Sequence, residues 1–231
     1  LLKPPPGQSE AWAGIDLGEA VERATGLKVS RFNDGHAACW AERVAHPAPR
    51  PLGFAFLLLD TFVGGGIVAE NRLWEGQNGR TANLGSMLVT DRNNHTRFVH
   101  EIASLFALGK RLAEAGLSLG DVRGSTIGAP AAAVLDAWIE DASDALAQTL
   151  INTTRVMEFE TCIIESELPA AVTARIVEST RARIARFPTL GHIAAPPVIA
   201  GHIGRSGAAQ GAALLRMHRR FFSRDFAHME I

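Results

Sequence analysis

The run Val63-Gly64-Gly65-Gly66-Ile67 constrains this chain more than any other stretch of it. Three consecutive glycines inside an otherwise apolar strand pattern give up side-chain packing and cost backbone entropy. They are retained where another group must come very close to the backbone. The flanking segments "GFAFLLLD" and "GIVAENRLWEG" read as two strands around these glycines, and a Glu70-Asn71 turn leads to a third short strand. The segment is therefore expected to be a β-meander.

The rest of the chain supplies helices and strands in α/β order. A short helix is expected from about Leu17, closed by Gly26 as its C-cap, with a strand following through Val29. Asn33 and Asp34 then fall where a strand ends and an alanine-rich helix begins, a junction that in α/β proteins faces the ligand crevice. Phe98, Ile102, Leu105, Leu108 and Leu112 follow helical spacing in one helix from about His95, closed by Gly116. A long helix carries Val134, Trp138, Ala145 and Thr149 on or near one face. "TCIIE" reads as a buried strand, Pro169 opens a helix reaching about Phe187 with its arginines on the wet side, and "PPVIAG" precedes a last long helix. Helix, strand, helix, strand, helix is the order of a parallel sheet with covered faces.

Composition excludes several classes of function. With a formal net charge of −1 and 47% apolar residues, nothing favours broad attraction to nucleic acid or acidic lipid. The two cysteines, Cys39 and Cys162, each lie in an apolar neighbourhood and are expected to be buried, reduced thiols. No run approaches the roughly 18 apolar residues of a membrane span, and "LLKPPPGQSE" lacks the blocks of a signal peptide, so a cytoplasmic location is expected.

Several segments resemble the ROK family of repressors, open reading frames and kinases. "VSRFNDGHAACWAE" is similar to that family's E-N-D-A-N-A-A-A-L-A-E junction, and "VGGGIVAENRLWEGQNGRTANLGSM" to its second phosphate hairpin and sugar-ligand segment. "EIASLFALGKRLAEAG", "LPAAVTARIVEST" and "GRSGAAQGAALL" resemble its later helices in the same order. The resemblance implies an α/β, actin-like (ribonuclease H-like) sugar-kinase fold with two lobes, the N-terminal one incomplete. Residues 1–52 would be the remnant of that lobe and 53–231 the C-terminal lobe, with the last helix expected to pack back on the first. The family's opening strand and D-x-G-G-T turn have no counterpart in these residues.

The same resemblance assigns roles. Asn33 would hydrogen-bond a sugar, and Asp34 would be the general base in a kinase; the plainer alternative is that the pair caps the next helix. Thr61, Gly64, Gly65 and Gly66 would face phosphate, though Asp60 and Phe62 replace two of the family's glycines and oppose it by charge and volume. The family's G-E-x-G-H becomes "ANLGSM", so Asn83 stands for the first sugar glutamate and Ser86 for the histidine, while His100 stands near the second glutamate. No cysteine cluster follows, so neither structural zinc nor any other metal ligand set is expected; His95 and His100 remain as a possible pair, but five residues apart they read rather as a surface and a cleft histidine.

Three readings stay open on this basis. One is the effector-sensing domain of a ROK transcriptional regulator, binding a monosaccharide or derivative, with DNA contacted only through a region outside these residues. Another is a sugar kinase for a hexose or amino sugar, which alone would need Mg-ATP as cofactor. The last is a catalytically dead scaffold. A homodimer without membrane association is expected in each.

Overall fold

The computed structural model describes residues 7–79, 81–187 and 195–222, and divides at Phe32/Asn33 into two units. The proline-rich start expected from the sequence lies outside the described residues. In the first unit, α1 spans Gln8–Ala13 and α2 spans Leu17–Thr25. Asp16 caps α2 by accepting from the Glu19 N–H at 3.0 Å, and Gly26 ends it in the left-handed conformation at φ 70°. The strand expected through Val29 is not formed. Its N–H donates to the Glu22 carboxylate at 2.7 Å, so a side chain takes the place of a ladder partner.

The second unit begins with α3 (Asp34–Ala45), followed by β1 (Phe54–Leu59), β2 (Val63–Ala69) and β3 (Arg72–Leu73). Glu70 and Asn71 both take positive φ, 51° and 64°, which gives the tight turn that matches strand twist. After a short antiparallel pair, β4 (Leu88–Thr90) with β5 (Thr96–Phe98), come α4 (Val99–Ala103), α5 (Leu105–Glu114) and α6 (Ala129–Thr154). The last elements of the described residues are β6 (Thr161–Ser166), α7 (Ala170–Ile184), β7 (Val198–Ala200) and α8 (Gly207–Phe221).

The main sheet runs β3-β2-β1-β6-β7. β1 pairs antiparallel with β2 and parallel with β6, and β6 pairs parallel with β7. The fold is thus α/β with a mixed sheet, and its parallel half follows the expected helix–strand alternation. Strand β1 is buried on both faces, and its period of two divides the core. Ala55, Leu57 and Leu59 face α4 to α7, whereas Phe54, Phe56 and Leu58 face α3 and α8. Cys39 belongs to the second cluster and Cys162 to the first, both as free buried thiols. Burial pushes the Cys162 thiol up to about 12.

Two expectations are corrected here. The single helix expected over 95–116 is interrupted at Ser104, whose backbone is extended (φ −79°, ψ 157°) and whose Oγ accepts from the Ala107 N–H at 3.1 Å. The break has a use: the first two amides of α5 donate to the turn after β1, Leu105 to Asp60 O at 2.9 Å and Phe106 to Thr61 O at 3.2 Å. The arginines of α7 are also not all on the wet side. Arg183 is only 7% exposed and bonds Asp144 and Glu140 of α6.

Candidate functional site

A pocket of about 360 Å³ opens where the N-terminus of α3, the start of β2 and the 81–83 segment meet. Asn33, Asp34, Gly64, Asn83 and His100 line it, together with Phe62. Asn33 is the N-cap of α3, accepting from the His36 N–H at 3.1 Å, so capping and ligand contact coexist at this residue. Its Oδ1 is thereby engaged, and its amide nitrogen is left for a ligand oxygen. Asp34 is exposed, lines the pocket, and accepts from the Gly35 N–H through Oδ1 at 2.8 Å.

The glycines bring α3 onto β2. A Cβ at Gly66 would overlap the Cβ and sulfur of Cys39, and one at Gly65 would lie 2.6 Å from Ala82 O. Gly64 and Gly65 line the pocket, while Gly66 is buried beneath α3. The triplet is therefore accounted for by contact of β2 with α3, through Gly35 at Gly64 and Gly65 and through Cys39 at Gly66, with Gly64 and Gly65 also lining the pocket. Thr61 lies elsewhere, at the edge of a second cavity of about 550 Å³ that also takes in Lys110 and Arg123.

His100 is half-buried, and both ring nitrogens are used internally. Nδ1 accepts from the Val63 N–H at 3.1 Å, so Nε2 carries the hydrogen and donates to Ser86 Oγ at 3.2 Å. Burial holds this ring below the ordinary histidine value, in keeping with the neutral form. The Phe62 ring meets it edge to face, with centroids 5.8 Å apart. Ser86 thus reaches the site only through His100, and His95 sits apart, 3.6 Å from Asp91.

Two features were missed in the sequence. His36 is 2% exposed and its Nε2–H donates to Thr81 O at 2.6 Å, which latches the 81–83 segment to α3. A lone histidine in an alanine-rich helix carries no signal of that role. Ala82 holds a left-handed φ of 57°, a conformation that costs a non-glycine residue about 1 kcal/mol. Its neighbour Asn83 is exposed at the pocket.

The turn between β1 and β2 has few amides left for a phosphate. The Asp60 N–H donates to Phe62 O at 3.1 Å, the Thr61 N–H to Asp60 Oδ1 at 2.6 Å, and the Val63 N–H to His100. Glu167 adds negative charge nearby: burial, then the Asp60 carboxylate, raises its pKa. A nucleotide phosphate would therefore meet carboxylates and spent donors at this turn.

The ROK family sequence profile matches residues 6–219. The chain belongs to the ROK family. Among curated relatives, the bifunctional enzyme NanE/NanK of Brucella suis biovar 1 is 34% identical over 152 residues, 64% of this chain and 28% of that protein. The N-acetylmannosamine kinase of Vibrio cholerae serotype O1 is 38% identical over 73 residues, 32% of this chain and 25% of that enzyme. The chain thus spans about a quarter of the length of the curated relatives it matches. Among solved structures, a ROK family glucokinase from Streptomyces griseus, in complex with glucose and AMPPNP, superposes with a TM-score of 0.68 at 21% identity. That likeness covers 86% of this chain and 71% of the glucokinase. A ROK family transcriptional regulator, a homolog of the E. coli Mlc protein, gives 0.65 at 19% identity, covering 87% of this chain and 55% of the regulator. The fold is accordingly that of the actin-like ROK sugar kinases. The two cysteines are buried in separate core clusters. No described helix is long and apolar enough to cross a membrane.

Proposed function

We propose that this chain is the sugar-binding, effector-sensing part of a ROK regulator, holding a monosaccharide in the pocket at the head of α3 without transferring phosphate to it. The observation that carries this reading is the state of the β1–β2 turn. The amides of Asp60, Thr61 and Val63 are already bonded inside the protein, and the Asp60 carboxylate stands among them. The sugar side, in contrast, offers open polar groups: an Asp34 oxygen to accept from a hydroxyl, the Asn33 amide nitrogen to donate, and the Asn83 amide to do either. A volume of about 360 Å³ suits a single sugar ring. The kinases named among the relatives point to a hexose or an N-acetylated hexosamine. Any effect on DNA would pass through a region outside these residues, by the sugar binding one conformation more tightly than another.

A kinase reading is favoured by one observation, the Asp34 carboxylate at the pocket beside Gly64, in a chain whose curated relatives are named as kinases. A thermal-shift and calorimetric screen of glucose, mannose, N-acetylmannosamine and N-acetylglucosamine, each with and without Mg-ATP, separates the two. A rise in melting temperature with one sugar alone, unchanged by Mg-ATP and without ADP release, supports the effector reading. Sugar-dependent ADP release would replace it with the kinase, and no response to any sugar would leave a scaffold.

A further inference from the structure

Glu42, His46 and His202 form a cluster that sugar recognition does not use. Glu42 and His46 stand four residues apart at the C-terminal end of α3 and so share a helix face, while His202 lies in the loop between β7 and α8. One ligand atom from each of the three lies within 4.8 Å of the others. The two imidazole rings meet edge to face with centroids 5.1 Å apart.

The polar atoms here are unusual. The Glu42 carboxylate is 0% exposed, accepting from the His202 N–H at 2.8 Å and facing His202 Nδ1 at 2.6 Å. A second buried carboxylate, Glu165, stands close by: a Cβ at Gly201 would lie 3.2 Å from a Glu42 oxygen and 2.9 Å from a Glu165 oxygen. His46 Nδ1–H donates to Pro47 O at 3.0 Å, which leaves its Nε2 as a bare lone pair. That Nε2 is buried and has no hydrogen-bond partner. A buried, unpartnered lone pair in a cluster that also holds a buried carboxylate suits a cation, because an acceptor left unpaired is costly to bury. A ring fixed through Nδ1–H to a carbonyl is also how proteins orient a metal-binding histidine.

We infer that Glu42, His46 and His202 bind one divalent transition-metal ion of the zinc class, with the fourth coordination position open to water. Two imidazoles and one carboxylate favour zinc, cobalt or nickel over magnesium or calcium. Tetrahedral bonds of about 2.0 Å put ligand atoms about 3.3 Å apart, so the widest pair must close by about 1.5 Å. His202 is exposed on a loop, and its Nδ1 already lies 2.6 Å from Glu42, so the separation to be closed involves His46. The ion ties the end of α3 to the segment leading into α8, two helices that already pack together. This place is distinct from the family's cysteine-containing zinc position after Gly85.

The test is a titration of chelator-treated protein with Zn²⁺, followed by calorimetry, and with Co²⁺, followed by visible absorption. One Zn²⁺ per chain and the absorption of tetrahedral cobalt are expected, with no response to Mg²⁺. His46→Ala and His202→Ala should each weaken Zn²⁺ binding at least about tenfold. These two variants are the decisive ones, because Glu42 is buried and its loss can unfold the chain. An absence of saturable Zn²⁺ binding would overturn the proposal and leave Glu42 and His202 as a metal-free pair, and so would unchanged affinity in both histidine variants. Neither result bears on sugar binding, whose site shares none of these residues.

Discussion

Gly35 and Gly65 meet backbone to backbone: a Cβ placed on Gly35 would lie 2.5 Å from both the nitrogen and the oxygen of Gly65. One residue further along the strand, Gly66 receives Cys39. The head of α3 can therefore rest directly on β2, which sets Asn33 and Asp34 over the pocket.

Gly66→Ala is accordingly expected to destabilise the fold by about 3 kcal/mol, the upper end of ordinary overpacking, because the new methyl overlaps the Cys39 Cβ. Urea unfolding measures it. Adding Cys39→Gly removes that atom and should recover part of the loss, net of about 1 kcal/mol for glycine within a helix. A double variant that is no better than the sum of the singles would show that the contact is not the cause.

His100 makes stability depend on pH in a defined direction. Burial depresses its pKa below the ordinary 6.5, so below that pH the unfolded chain takes up the proton more readily than the folded one. Stability is then full above about 6.5 and falls as acid is added. His218 is shifted the same way, by burial and then Arg219, and contributes to the same slope. His100→Asn keeps an acceptor for the Val63 N–H without titrating. Melting temperatures between pH 7.5 and 5 should fall less steeply in that variant, and an unchanged slope would assign the whole effect elsewhere.

Arg183 is the buried centre of a charged group, bonding Asp144, and Glu140 at 2.5 Å, while Arg92 reaches the same two carboxylates from the exposed side at 2.6 and 3.0 Å. Arg183→Met should cost about 2 kcal/mol, less than for a fully buried pair because both carboxylates are partly exposed and keep Arg92. Chemical denaturation checks the value. A loss as small as that of Arg92→Met would mean that burial of the guanidinium adds nothing.

At the pocket, Asp34→Asn should weaken binding of the responding sugar at least about tenfold, since it removes a charged acceptor for a ligand hydroxyl while leaving a cap-compatible side chain. Calorimetry reads the change. Equal affinity in wild type and variant would move the site away from the head of α3.

What the sequence determined by itself was the local grammar. A continuous apolar run before the glycines announced β1, Gly26 ended α2, the Glu70-Asn71 turn joined β2 to β3, and Asn33 with Asp34 fell at the start of a helix. Those features depend on neighbours a few residues apart. Tertiary structure alone decided the rest. It put α3 against the glycines, spent the Val63 amide on His100, drew Arg183 into the α6 carboxylates, and brought His202 to Glu42 across 160 residues. No spacing encodes such meetings, because periodicity tells a side chain to be buried without naming what it will be buried against.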